Sequence, residues 1–372
     1  MDKSNRFVLF INTLGSGGAQ RQIVLLAREL SKVSDNVFLV HYGNSEHMVE
    51  MLGGSSVRVV RVQAPFGRWK GFLFINLVLE FLKIRPTHVV SFIDAPNKIF
   101  GALAFLIFRR VVWVPSERNL VVGSSFRETF WRSLLYRRAR NVISNSHSQN
   151  KWMHENISSQ AAKCSVIING VPGEMFSDEI CTAENGEIKK FVALGRLGYQ
   201  KNPMLLIDTL RLLLPEVRKS IFVDWYGEDD PDSPGLRESL ESTVKLYELP
   251  IRFHRATRDV SAVLDSADAF ILCSRFEGTP NVVLEAMARG KVVLASSVSD
   301  VPLLLSQGRG FLFESESTVG FSKAILDCLS QPMDKALKMG EDARFFVKHE
   351  CSATSMSKNY LRALGLAVGL DQ

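Results

Sequence analysis

Two carboxylates stand eight positions apart in Arg275-Phe276-Glu277-Gly278-Thr279-Pro280-Asn281-Val282-Val283-Leu284-Glu285-Ala286-Met287-Ala288, with a helix start between them. Thr279 can cap that helix and Pro280 can be its first residue. Asn281, Val282 and Val283 would then offer unpaired N–H groups at a positive helix end. Such an end seats an anion. Glu277 precedes the helix and Glu285 lies about 1.5 turns beyond Pro280, so one carboxylate falls on each side of a bound diphosphate. The geometry suits a nucleotide-sugar. The plainer alternative pairs Glu285 with Arg289 at i,i+4 and leaves Glu277 as a loop acid.

A departing nucleoside diphosphate builds negative charge on its leaving oxygen and needs fixed positive charge there. Arg196 and Lys201 occupy the turn after an apolar strand, Phe191–Leu194. Arg grips phosphate oxygens as a fork, and Lys adds a mobile point charge. Read singly, each is an ordinary surface cation. The loop Gly15-Ser16-Gly17-Gly18 lets backbone approach an anionic or sugar group closely and leads into a helix, unless it is simply a tight turn. It is G-x-G-G rather than G-x-G-x-x-G, and no acidic residue follows at the ribose distance, which argues against NAD. The His, Asp and Glu residues form no ligand cluster, and Asp229-Asp230-Pro231-Asp232 reads as a solvated loop. We therefore expect no metal and no cofactor.

These residues need a frame that repeats. Phe7–Ile11 is a strand, followed by the glycine loop and a helix over Ala19–Ser31; Phe191–Leu194, Gly195–Lys201 and a helix opened by Asn202 and Pro203 repeat the unit. Further strands are expected at Val37–Tyr42, Val57–Val62, His88–Phe92, Val111–Pro115, Val142–Ser144 and Ser165–Ile168. After Phe191 they follow at Ile221–Tyr226, Ile251–His254, Ala269–Cys273, Val292–Ala295 and Gly310–Phe313. Strands alternating with helices predict an α/β chain of two doubly wound parallel-sheet (Rossmann-like) domains facing a central cleft, with the break in Gly173–Lys190.

At 372 residues and 46% apolar content, the chain can build two sizeable cores. Its five cysteines lack metal or CxxC spacing and its first residues lack an apolar signal region, so a reducing cytoplasm is the expected location. Residues 1–186 hold 22 Lys and Arg against 14 Asp and Glu, and residues 187–372 hold 23 against 25. Within the basic half, Phe126–Arg140 reads as a helix whose Phe130, Trp131, Leu134 and Leu135 face either anionic lipid or the protein core. Nucleic acid is not expected, since no helix-turn-helix, RNP-like or zinc-finger pattern accompanies the charge. The apolar stretches Gly71–Ile84 and Ile99–Val114 are interrupted by Glu80, Lys83, Arg109 and Arg110, so neither predicts a span. Peripheral contact with the inner face of the membrane remains open.

The segment Ala267–Gly278 with Glu285-Ala286-Met287-Ala288-Arg289-Gly290 resembles the donor-site motif of retaining GT-B glycosyltransferases of the GT4 group. Gly15–Arg21, Ser116-Glu117-Arg118-Asn119, Ile168-Asn169-Gly170-Val171, Gly195-Arg196-Leu197 and Lys201-Asn202-Pro203 agree in order and spacing. The resemblance implies an acceptor domain over 1–175, a donor domain over 188–354 and a C-terminal helix, 355–372, returning to the first domain. It implies that Arg196 and Lys201 neutralise the diphosphate, that Glu285 accepts from ribose hydroxyls and that Glu277 contacts the sugar. Gly17, Gly18, Gly278, Thr279, Asn281 and Val282 would complete the donor site. Arg118, at the lip of the first domain, stands where some relatives carry histidine; arginine there supplies electrostatics rather than a general base. The implied activity is metal-independent hexosyl or N-acetylhexosaminyl transfer with retention, from a UDP-sugar to a lipid-linked or surface-polysaccharide glycan. Pro172 after Asn-Gly-Val, the missing glycines around Ser299–Leu303, and His254-Arg255 depart from the pattern where base and sugar are chosen. An epimerase or hydrolase on the same scaffold, or a non-catalytic assembly partner, are the alternatives.

Overall fold

A computed structural model describes residues 4–63, 70–118, 125–157, 163–176, 187 and 189–367. The chain forms two compact units, Met1–Gly170 with Ser352–Gln372, and Val171–Cys351.

In the first unit, β1 (Phe7–Phe10), β2 (Val37–His41), β3 (Arg58–Arg61), β4 (His88–Phe92), β5 (Val112–Glu117), β6 (Val142–Ser144) and β7 (Cys164–Val166) form a parallel sheet ordered β3-β2-β1-β4-β5-β6-β7. β1 and β4 are buried at every residue, as strands covered on both faces must be. The edge strand β3 instead places exposed Arg58 and Arg61 at its ends, a charge pattern that discourages further pairing. Helix α1 (Gly18–Ser31) packs Ile23, Leu26 and Leu30 on one sheet face. Helices α2 (Lys70–Ile84), α3 (Asp94–Leu106), α4 (Phe126–Tyr136) and α5 (His147–Asn156) share the other, through Leu77, Phe81, Phe100, Leu103, Tyr136 and Met153 around Trp113.

The second unit repeats the plan. Strands β8 (Lys190–Leu194), β9 (Phe222–Tyr226), β10 (Ile251–His254), β11 (Ala269–Leu272), β12 (Val292–Ser296) and β13 (Phe311–Phe313) form a parallel sheet ordered β10-β9-β8-β11-β12-β13. Helices α6 (Pro203–Leu212), α7 (Pro215–Ser220), α8 (Leu236–Leu246), α9 (Val260–Asp265), α10 (Asn281–Ala288), α11 (Val301–Leu304), α12 (Thr318–Leu329) and α13 (Met333–Glu350) follow in turn. A Cβ on Gly340 of α13 would lie 2.1 Å from the Gly290 carbonyl oxygen, so glycine is what lets α13 approach the end of α10.

The last helix, α14 (Ala353–Ala363), belongs to the first unit, where Met356, Tyr360 and Leu361 join the α1 face of the core. The division falls at Gly170 and again at Cys351, ahead of the expected 175 and 354. Val171 N–H donates to the Cys351 carbonyl at 2.7 Å, so the outgoing and returning strands of chain are tied on the second unit's side. Most of the expected break, Gly173–Lys190, lies outside the described residues.

Candidate functional site

In each sheet the strand order reverses once, between β1 and β4 in the first unit and between β8 and β11 in the second. Loops leaving neighbouring strands at such a reversal diverge and open a crevice at the strands' carboxyl ends. In the second unit the loop after β8 carries Lys201 and the loop after β11 carries Glu277. Lys201 Nζ donates to Glu277 Oε1 at 2.5 Å, Ser274 Oγ donates to the same oxygen at 2.7 Å, and Gln200 Nε2 reaches Oε2 at 3.5 Å. Glu277 is buried and the Lys201 side chain is 19% exposed, so this ion pair is largely out of water. The two loops are stitched by Arg275 N–H to the Gln200 carbonyl (2.8 Å), Arg275 Nη1 to the Tyr199 carbonyl (2.8 Å) and Gln200 Nε2 to the Phe276 carbonyl (3.1 Å).

The supports behind the pair are equally local. Asn202 takes a left-handed φ of 52° and Pro203 starts α6, turning the chain so that Lys201 faces the β11 loop. Buried Cys273 donates from Sγ to the Lys201 and Asn202 carbonyls at 3.4 Å. Burial pushes its thiol up to about 12, which makes it a prop rather than a nucleophile. At Gly227 a Cβ would meet the Gly195 carbonyl oxygen at 1.9 Å, so the loops after β8 and β9 touch backbone to backbone.

Several expectations need correction. Pro280, not Thr279, is the N-cap of α10: its ψ of 112° keeps it outside the helix, and the helix begins at Asn281. The amides of Val283 and Leu284 turn back to the Pro280 carbonyl, at 3.2 and 3.4 Å. Val283 N–H is thus committed, and of the expected anion seat Asn281 and Val282 form the first turn. The plainer alternative, a Glu285–Arg289 pair, does not hold either: Arg289 Nε bonds Asp265 at 2.7 Å while Glu285 is buried. Arg196 is 61% exposed, with its Nη1 3.9 Å from Asp230, an orientation different from that of Lys201. Asp229 is no merely solvated acid: Arg237 Nε bonds it at 2.6 Å and Arg255 Nη1 at 2.9 Å, and these guanidinium groups hold its carboxyl below the usual range. Asp230 N–H donates to the Leu197 carbonyl at 3.1 Å and Leu197 N–H to that of Glu228 at 2.8 Å, which sets Asp230 beside Arg196.

In the first unit, the glycine loop follows β1 and is held from below by Leu14 N–H to the Ser45 carbonyl (3.0 Å) and Met48 N–H to the Leu14 carbonyl (2.9 Å). Gly17 is the N-cap of α1 and Gly18 its first residue, with no acidic side chain in the first turn. Arg118, expected at an open lip, is buried. Its Nε donates to Ser116 Oγ (3.0 Å), Nη1 to Asn169 Oδ1 (2.5 Å) and Nη2 to Tyr360 Oη on α14 (2.6 Å), with the Phe92 ring 4.0 Å away. Burial lowers its guanidinium pKa, opposed by Tyr360. Glu117 faces the other way, toward Arg132 and Tyr136, and burial raises its carboxyl. Asn119 lies outside the described residues. On α4, Phe126, Phe130 and Trp131 are exposed, behind a Ser125/Glu128 capping box, while Tyr136 at the helix end is core. Ser274, Gln200 and Tyr360 were not singled out from the sequence, although Ser274 lies within the Ala267–Gly278 motif and Gln200 within the Gly195–Lys201 loop.

Comparison with known proteins completes the picture. Residues 16–174 match the family described as Glycosyltransferase Family 4, and residues 188–331 match Glycosyl transferases group 1. An α-1,4-N-acetyl-D-galactosaminyltransferase of Campylobacter jejuni, named for a GalNAc-containing PP-undecaprenol substrate, is 25% identical over 74% of this chain and 75% of its own. An Escherichia coli UDP-Gal:α-D-GlcNAc-diphosphoundecaprenol α-1,3-galactosyltransferase is 23% identical over 66% of this chain and 67% of its own. Among solved structures, Anabaena HepE in complex with UDP superposes with a TM-score of 0.83 at 16% identity, covering 97% of this chain and 99% of that one.

Proposed function

From a chain that belongs to the family 4 glycosyltransferases of GT-B fold, we propose a retaining, metal-independent enzyme that moves a hexosyl or N-acetylhexosaminyl group from a UDP-sugar to a lipid-linked or surface-polysaccharide glycan. The observation that carries this reading is the Lys201–Glu277 pair at the switch point of the second sheet. An ammonium held 2.5 Å from a carboxylate can transfer its hydrogen bonds to an arriving diphosphate, while the carboxylate is released toward sugar hydroxyls. Gly278 and Thr279 lead to the first turn of α10, where Asn281 and Val282 receive the diphosphate at the positive helix end. Arg196 swings from Asp230 to the second phosphate, and Glu285 accepts from the ribose. Lys201 and Arg196 supply the positive charge that the leaving group needs, so no metal is required. In the first unit, Gly17 and Gly18 at the start of α1 would take part in contacting the sugar, and Arg118 would contribute positive charge.

The UDP bound in the HepE structure and the UDP-galactose in the name of the Escherichia coli relative support the choice of donor. The undecaprenol-linked substrates named for two relatives support a lipid-linked acceptor and a place at the cytoplasmic face of a membrane. Among the described residues no helix is long and apolar enough to cross one, so attachment would be peripheral. The test is transfer by the purified chain from a panel of UDP-sugars to polyprenyl-diphosphate glycans, with product anomers assigned by NMR. Transfer lost in Glu277→Ala, with the variant still folded and still binding UDP, supports the reading. Donor hydrolysis or epimerisation without acceptor, or absence of transfer with every donor, overturns it.

A further inference from the structure

We propose that the outer face of α2, together with a cationic pocket at its C-terminal end, is where the first unit docks on an anionic phospholipid bilayer. This deepens the peripheral-membrane part of the reading above and does not depend on the transfer chemistry. Phe72, Ile75, Leu79 and Leu82 recur at i, i+3, i+7 and i+10, on one side of the helix. Each is 40–53% exposed, whereas Leu77 and Phe81 are buried in the core. A contiguous apolar stripe of this kind on a water-facing helix marks a surface that something covers.

The charges around the stripe select the occupant. Arg6, Lys83 and Arg85 join Leu79 and Leu82 around a shallow pocket of about 570 Å³. Arg85 closes α2 in a left-handed φ of 52°. An anion at a helix C-terminus would ordinarily meet the negative end of the dipole. Here Arg6 Nη1 donates to the Ile84 carbonyl at 3.2 Å and covers part of that end. Glu80, the acidic side chain of α2, is paired with Lys83 at 3.1 Å, so the pocket keeps a positive balance. The Phe81 and Phe108 rings meet at 6.0 Å with their planes tilted by 55°, which brings the end of α3 beside α2, with Phe105, Leu106 and Ile107 exposed ahead of Arg109 and Arg110. Arg138, just past α4, donates to the Arg109 carbonyl and adds to the same rim. Apolar side chains ringed by guanidinium and ammonium groups fit acyl chains below a layer of lipid phosphates.

Flotation of the full chain with phosphatidylcholine vesicles, with and without phosphatidylglycerol, tests the proposal. The wild type should float with the anionic vesicles and release as salt rises. Lys83→Glu/Arg85→Glu should weaken binding by about 30-fold or more, from a contribution of about five- to sixfold per cation near such a surface. Leu79→Asp/Leu82→Asp should abolish it. In both variants, UDP-induced thermal stabilisation should stay unchanged, which separates loss of docking from misfolding or a wrong donor site. The proposal is overturned if the wild type ignores anionic vesicles, if the α2 variants float normally, if only Phe130→Asp/Trp131→Asp on α4 releases the protein, or if inorganic phosphate displaces it at an ionic strength at which chloride does not.

Discussion

Replacing Lys201 by alanine should separate two effects. The pair it makes with Glu277 is largely desolvated, with the lysine side chain 19% and the glutamate 8% exposed. Removing one partner of a buried pair typically costs about 3–5 kcal/mol because a charge is stranded. Ser274 Oγ at 2.7 Å and Gln200 Nε2 at 3.5 Å would still solvate Glu277, so the loss should fall nearer 2–3 kcal/mol by that same reckoning. Deleting Glu277 as well should recover part of it, since the stranded carboxylate is then gone. Ligand binding should behave differently. Loss of a charge-assisted bond to phosphate, about 1.5–3 kcal/mol, weakens UDP by roughly 10- to 150-fold, and the double variant should not regain it. Glu277→Ala alone frees the ammonium from its competitor, so UDP should bind as well as to the wild type or better while sugar transfer collapses. Urea unfolding and titration calorimetry with UDP on the four proteins give both cycles. If Lys201→Ala binds UDP within about threefold of wild type, outside the range expected for a phosphate contact, the ammonium is not at the phosphate and the proposed division of labour fails.

Three other outcomes are expected. Gly227→Ala forces a Cβ to 1.9 Å from the Gly195 carbonyl oxygen, backbone against backbone, and should destabilise the second unit by about 3 kcal/mol or more, read as a lowered urea midpoint; an unchanged midpoint would mean the two loops part freely. Tyr360→Phe removes the acceptor for Arg118 Nη2 and the partner of Ser116 Oγ, and should cost about 1–3 kcal/mol in the first unit, with hydrogen exchange in α14 accelerating. Burial lowers the imidazole pKa of His88, helped by Arg140, and that of His41, helped by Arg61 and opposed by Glu46. The unfolded chain therefore takes up these protons first as pH falls below 6.5, so stability from keeping both rings neutral is full above that value and erodes beneath it. Denaturation midpoints that rise on acidification to about pH 5 would contradict this sign.

The strands were legible almost residue by residue, because strands covered on both faces read as short apolar runs between turn residues: His88–Phe92 and Val142–Ser144 coincide with their expected bounds, as does the edge strand Ile251–His254. β5 runs on to Glu117, past Pro115, because its partners β4 and β6 continue to pair there. Lys201 and Glu277 could be named from motif spacing, yet nothing in that spacing says that Ser274 and Gln200 complete the cluster. The cap was misjudged because Thr279 and Pro280 both suit an N-terminus, and only the backbone angles distinguish their positions. Arg196 was harder, since its neighbour Asp230 arrives from the loop after β9. Arg118 was hardest: Tyr360, which closes over it, comes from 242 positions away in the chain.

That distance has a temporal side. Ribosomal synthesis delivers β1 to β7 first, but Met356, Tyr360 and Leu361, which cover the α1 face, emerge only after the whole of Val171–Cys351. At about 5–20 residues per second the nascent first sheet waits roughly 10–35 s for its final helix. During that interval its apolar flank depends on chaperones or on the exit-tunnel surroundings, and a messenger truncated near its end would release a product whose later half is finished and whose earlier half is not.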